Sequence, residues 1–214
     1  MYSADFLLDY LARLGHLNQS LHPFSLILPW VFALAVMAGA VAALGKRRCS
    51  PHLLSLFAVS YVLQGIILFA LHCRDGAGLA FLELSIFLFI AGVLFCSRRR
   101  VEFFRRPKSA ASLAGLIIFF CGIFVYPLLE RLSGLEWPGM VFFGTAECPT
   151  TTALIGLLIT AYPQVWKPLY FGVMLLGIFS GFSAVLAGFP LDLLYGGSAT
   201  LGLVLPLLSG RERA

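Results

Sequence analysis

Glu147-Cys148-Pro149-Thr150-Thr151-Thr152 brings a carboxyl, a thiol and three hydroxyls together where an apolar run begins. Proline is suited to the first turn of a helix, where its missing N–H costs nothing. This places Cys148 near the N-cap and Thr150 and Thr151 in the first turn. The free N–H groups and the positive end of the helix dipole there attract negative charge. Glu147 or Cys148 could supply it, and adjacent like charges oppose both ionising together. The carboxyl is the stronger acid, so Cys148 stays a thiol unless a cation such as His72 or Arg74 approaches. Three readings follow: a structural cap, a site for a small solute or ion, or thiol chemistry at Cys148 with help from His72.

Other costly groups recur through the apolar runs. An ionisable side chain at the centre of a spanning helix costs about 2.5–3.5 kcal/mol on insertion scales. Such groups stand at His72, Cys73, Arg74 and Asp75, at Glu83, at Glu130 and Arg131, and at Asp192. Tyr61, Gln64, Leu68 and His72 are spaced three, four and four, hence on one helical face. That stripe must face the interior, as a hydrogen-bond ladder or as a cavity wall, because lipid would leave its polar groups unsatisfied. Cys73, His72, Cys148 and Glu83 have metal-ligand chemistry. Nothing in their spacing brings them together, and neither a metal centre nor a cofactor is expected.

The elements that must position these groups are membrane helices. Of the residues, 60% are hydrophobic and 12% charged, with mean hydropathy +0.93, against roughly 25% charged in soluble domains. A helix crosses the hydrocarbon layer in about 20 residues. About seven such runs are legible, at 24–45, 52–73, 78–97, 109–130, 144–161, 167–188 and 191–209. They are too long, and too lacking in alternation, for barrel strands. Residues 3–19 precede them. Phe6, Leu7, Tyr10, Leu11 and Leu14 recur at helical spacing opposite Asp5, Asp9 and Arg13, which predicts an amphipathic helix lying in the interface. Those charges are not the basic region of a signal peptide. The organisation is thus an interfacial helix at 1–20 and one transmembrane helical bundle over 21–210.

Basic residues orient the bundle. With the loop after the first span inside, 12 of the 15 Lys and Arg fall inside, among them Lys46, Arg47, Arg48, Arg98, Arg99, Arg100, Arg105, Arg106 and Lys108. Arg13, Arg74 and Arg131 remain outside. This asymmetry puts the N-terminus outside, with most of the ionisable groups above in the outer half. The basic stretch 98–108 would meet anionic lipid headgroups. It lacks the aromatic and motif context of a nucleic-acid reader, so no nucleic-acid partner is expected.

Small residues form packing ridges at Ala35, Gly39 and Ala43, and at Gly177 and Gly181 continued by Ala184 and Gly188. The second ridge suits packing within one bundle or a homo-oligomer contact. Trp137 and Trp166 fit interfacial belts. The loop 131–143, carrying Met140, Val141, Phe142 and Phe143, is too apolar to be free and should fold over the bundle mouth. Several activities are unsupported. No lysine lies within a span to hold retinal, no HExxH, GxSxG or phosphate loop occurs, and five cysteines without a CxxC pair give no dithiol motif. Pro163-Gln164 is a lone dipeptide without the partner that a sugar-carrier bundle would show.

Trp137-Pro138, Phe143-Gly144 and Cys148-Pro149-Thr150-Thr151 together resemble the signature of an uncharacterised family of bacterial polytopic membrane proteins. Its members are similar in their amphipathic N-terminal segment and in a Gly-rich span after the signature. Span two departs from that pattern, with Tyr61 and Gln64 where the family favours a Trp and a Tyr-His pair. The resemblance implies architecture and a bacterial cytoplasmic membrane location, with no activity to transfer.

The reading is an all-α polytopic membrane bundle of about seven transmembrane helices. It binds, and moves, a small solute or ion through an outward-opening cavity. Glu147, Cys148, Thr150, Thr151 and Asp192 would surround the ligand, Glu83 would act as a proton-coupling or cation-binding carboxyl, and Tyr61, Gln64 and His72 would line the wall. The alternatives are a membrane-embedded thiol enzyme or redox protein using Cys148, and a non-catalytic scaffold.

Overall fold

The computed structural model describes residues 4–45, 50–73, 77–103 and 110–209. Lys46, Arg47, Arg48, Arg74 and Asp75, residues 104–109 of the second basic loop and the basic C-terminus lie outside these residues. Within them the chain is helical, with no strand. The helices are α1 (Ala4–Ser20), α2 (Phe24–Gly45), α3 (Ser50–His72), α4 (Ala77–Ser97), α5 (Ala110–Phe120), α6 (Tyr126–Leu132), α7 (Glu147–Ala161), α8 (Lys167–Leu186) and α9 (Leu193–Ser209). A π-helical turn, Cys121–Val125, joins α5 to α6, so that Ala110–Leu132 runs on as one span.

The cause of the π-turn is local. Pro127 has no N–H to donate and its ring crowds the carbonyl four residues back. A widened turn just before it absorbs the mismatch without ending the helix.

Five helices are long and apolar enough to cross a membrane: Phe24–Ala43, Ser50–His72, Ala80–Arg100, Ala110–Leu132 and Lys167–Leu186. Their outward faces carry large exposed apolar side chains, with Phe24, Phe89 and Phe179 at 73%, 72% and 71% exposure. Such a surface is at home in hydrocarbon. The fifth and seventh expected spans are shorter apolar helices, Glu147–Ala161 and Pro190–Leu205.

The reason for the first of these is its place in the molecule. Every residue of α7 from Pro149 to Ala161 is buried. A helix apolar all round belongs in a core. At 15 residues it is about 22 Å long, short of the roughly 30 Å hydrocarbon layer. Enclosed by its neighbours, it meets protein at both ends.

Glycine makes that enclosure close. A Cβ on Gly115 would lie 2.6 Å from the Gly156 carbonyl oxygen, and one on Gly122 would lie 2.5 Å from both the Ala153 nitrogen and the Pro149 oxygen. The span of α5 and α6 therefore rides backbone to backbone on α7. On the far side, Gly177 and Gly181 of α8 abut Ala199 and Gly196 of α9. Both ridge glycines are thus used in packing within the chain.

Residues 133–146 return to the start of α7 without regular helix, with Met140 and Phe143 buried. Phe143 meets Phe57 edge-on at 5.9 Å. The Asn18 amide of α1 donates to the Pro138 carbonyl at 2.7 Å, and Arg13 donates to the Leu71 carbonyl at 3.4 Å. As expected of an apolar loop, it folds in over one end of the bundle, with α1 laid across it. Gly144, at φ +84° and against the Phe32 side chain, turns the chain into α7. Non-helical backbone at this depth is tolerated where protein or a cavity surrounds it.

Candidate functional site

At the end of the bundle where α1 and the loop lie, a cavity of about 550 Å³ is bordered by α3, α4, α6, the start of α7 and α8. Helix ends supply side chains of fixed direction, so each polar group can be traced to its element.

The start of α7 comes first. The helix begins at Glu147, and the N-cap is Ala146, which has no capping side chain. Cys148 is therefore inside the first turn, two positions past the N-cap. Thr150 does the capping work from within: its hydroxyl donates to the Ala146 carbonyl at 2.6 Å and accepts from the Gly144 N–H at 2.8 Å. It also accepts from the Gln64 amide at 3.0 Å. Thr151 bonds the Tyr61 hydroxyl, and Thr152 donates to the Cys148 carbonyl at 2.7 Å.

These bonds sort the expected site residues. Gln64, His72, Glu83, Glu147, Cys148 and Asp192 border the one cavity. Tyr61, Thr150 and Thr151 do not. They are fully buried behind the wall, with their hydroxyls joining α3 to α7. The stripe on α3 is therefore both things at once, a ladder at Tyr61 and a cavity wall at Gln64, Leu68 and His72.

Four carboxyls stand around the cavity, each with at least one polar partner. The Tyr195 hydroxyl donates to Glu147 at 3.0 Å, and Ser180 of α8 also reaches that carboxyl. Tyr126 donates to Asp192. The Val141 N–H donates to Glu130 at 2.9 Å. His72 Nδ1 meets Glu83 at 2.5 Å. Asp192 is close enough to interact electrostatically with both Glu130 and Glu147. The Cys148 thiol lies against Asp192 and Tyr126. Among the described lining residues there is no Lys or Arg, so acceptors dominate.

The chain matches the model of a family of unknown function, DUF6064, over residues 9–213. It belongs to that family. Comparison with curated proteins and with solved structures finds no significant match. The family match covers nearly the whole of this DUF6064 chain, and the cavity is described from its own residues.

Several groups at the cavity fall outside the expected ligand and wall residues: Tyr126, Glu130, Ser180 and Ser183 on the wall, and Tyr195 behind Glu147. Glu130 stands out in the sequence as an ionisable group at a span end. Tyr126 is signalled only by the proline after it, whose π-turn redirects the chain where the tyrosine leaves it. Cys73, by contrast, is exposed and bonds its own helix at Ala70. Among the described residues no three His, Cys, Asp or Glu converge to hold a metal ion.

Proposed function

We propose that this chain is a seven-span integral protein of a bacterial cytoplasmic membrane, N-terminus outside, whose cavity binds and carries a small solute or ion. The observation that carries this reading is the 550 Å³ space lined by Glu83, Glu130, Glu147 and Asp192 inside an apolar bundle. Ionisable groups at that depth are expensive and mark ligand or ion paths, and the volume lies within the range of small-molecule sites. In this reading Glu147 and Asp192 hold the ligand at the start of α7. Glu83, paired with His72, is the proton-coupling or cation-binding carboxyl. The thiol-enzyme alternative is less well supported. Reactive thiols occupy electropositive settings, whereas Cys148 has carboxyls beside it.

The test uses the full chain in phosphatidylcholine nanodiscs, with thermal unfolding followed against a panel of small amines, carboxylates, sugars and alkali cations. A ligand at about 100 times its Kd stabilises by about 2.7 kcal/mol, so a binder should raise Tm by several degrees. Ala184→Trp, which fills the cavity, should remove that rise. A panel in which no solute moves Tm, or in which the Trp variant responds equally, would overturn the reading.

A further inference from the structure

The cavity is not closed on its sides. Ile86 of α4 and Phe179 and Ser183 of α8 border it while also being exposed on the outer surface of the bundle, Ile86 at 44% and Phe179 at 71%. A residue that both lines a cavity and faces outward marks an opening. Here two neighbouring helices supply such residues, so the opening lies between α4 and α8. Its rim, apart from Ser183, is apolar, on a surface whose other outward residues are suited to hydrocarbon.

Inside the opening the chemistry reverses. Glu130, Asp192 and Glu147 stand together without a described cation in the lining. In a low-dielectric site their charges repel unless something positive joins them. A second, independent observation comes from Gln64, which is 1% exposed and borders the same space. The Thr150 hydrogen is committed to the Ala146 carbonyl, so the branch of Gln64 that meets Thr150 must be the amide nitrogen. That fixes the orientation of the side chain. Its other branch, Oε1, is buried without a partner. An orphaned buried acceptor costs about 1–3 kcal/mol, and a ligand N–H would satisfy it.

We propose that the ligand is an amphiphile with a primary ammonium head. It enters from the hydrocarbon layer between α4 and α8, with its head among Glu130, Glu147 and Asp192 and its chain left in the gap beside Ile86 and Phe179. A primary ammonium brings three donors, enough for two of these carboxyls and the Gln64 oxygen together, with the third carboxyl balancing its charge. This rests on the reading that the cavity binds a solute, and it adds the charge, the head group and the route.

The test is calorimetric titration of full-length protein in phosphatidylcholine nanodiscs, with empty discs subtracted. The probes are dodecylammonium, dodecyltrimethylammonium, dodecanol, dodecyl sulfate and water-soluble propylammonium. Dodecylammonium should bind saturably at one per chain, and at least tenfold tighter than any of the other four. Glu147→Gln and Asp192→Asn, which keep the acceptor oxygens for Tyr195 and Tyr126, should each weaken it about tenfold, and Gln64→Leu about fivefold, with Tm confirming that each variant folds. Ser183→Trp at the rim should slow dodecylammonium binding.

Equal binding of dodecanol or dodecyl sulfate would overturn the charge assignment. Equal binding of the trimethyl probe would overturn the N–H contact, and equal binding of propylammonium the route through the bilayer. Absence of saturable dodecylammonium binding would overturn the whole proposal. The small-solute reading then stands or falls separately on the water-soluble panel and its Ala184→Trp control.

Discussion

Thr150 has three polar partners around one hydroxyl: it donates to the Ala146 carbonyl and accepts from Gly144 and Gln64. Thr150→Val would leave two buried donors without an acceptor. Each stranded group costs about 1–3 kcal/mol, so the variant should lose several kcal/mol of stability. Thr152 makes only the bond to the carbonyl four residues back, and Thr152→Val keeps the shape, so it should lie within about 1 kcal/mol of the parent. Thermal unfolding in nanodiscs compares them, and equal losses would remove the special standing of Thr150. The cluster of threonines is conspicuous in the sequence, but the division of labour within it is not. Whether a hydroxyl faces a cavity or a neighbouring helix depends on what lies across from it, and α3 is about ninety positions away. Cys148 is the same kind of case. Its place at the start of a helix is legible, while Asp192 and Tyr126 beside it come from other elements. Cys148→Ser should therefore leave ligand-induced Tm shifts within about twofold of the parent in apparent affinity. Loss of an activity with binding retained would instead restore the thiol-enzyme reading.

Among the elements, α7 departs most from what hydropathy suggests. Its composition reads as one more span, and only burial on every side separates a central helix from a peripheral one. The contact that places it there runs through Gly115, Gly122 and Gly156. These glycines form no four-residue ridge on either helix, so spacing alone does not disclose it. A Cβ on Gly156 would press on the Phe119 backbone and lie 2.5 Å from the Gly115 oxygen. Backbone cannot yield as a side-chain tip can, and overpacking of this kind costs about 1–3 kcal/mol. Gly156→Ala should lower Tm by several degrees. Gly172→Ala is the control: it lies in α8, where an added Cβ would meet nothing within 4 Å. There the better helix propensity of alanine, about 1 kcal/mol, should leave Tm unchanged or slightly raised. Comparable losses in both variants would mean that the close approach of α5 to α7 contributes nothing particular. The α8 ridge was legible because Gly177 and Gly181 are four apart, and Ala199 and Gly196 receive it within the same chain.

At the scale of the whole molecule, the gathering of ionisable groups at one end is readable from the sequence. Counting spans alternately outward and inward already assigns His72, Glu83, Glu130, Glu147 and Asp192 to one side. Residues from all five elements then meet at one cavity, because antiparallel neighbours bring the end of one helix beside the start of the next. The side opening was not readable, since exposure of Ile86 and Phe179 is a property of packing and not of residue type. The orientation proposed here rests on the positive-inside asymmetry, which sets topology through short loops, and it makes a direct prediction. In a background with all native cysteines replaced, Ser133→Cys lies in the loop beside the cavity and Arg99→Cys lies at the opposite end, both exposed. In intact cells a membrane-impermeant maleimide should label the first and leave the second unlabelled until the membrane is permeabilised. Labelling confined to Arg99→Cys would invert the bundle and turn the cavity toward the cytoplasm, so that its carboxyls would serve a ligand from that side. The side opening between α4 and α8 would face hydrocarbon in either orientation, which makes the ammonium proposal independent of this result.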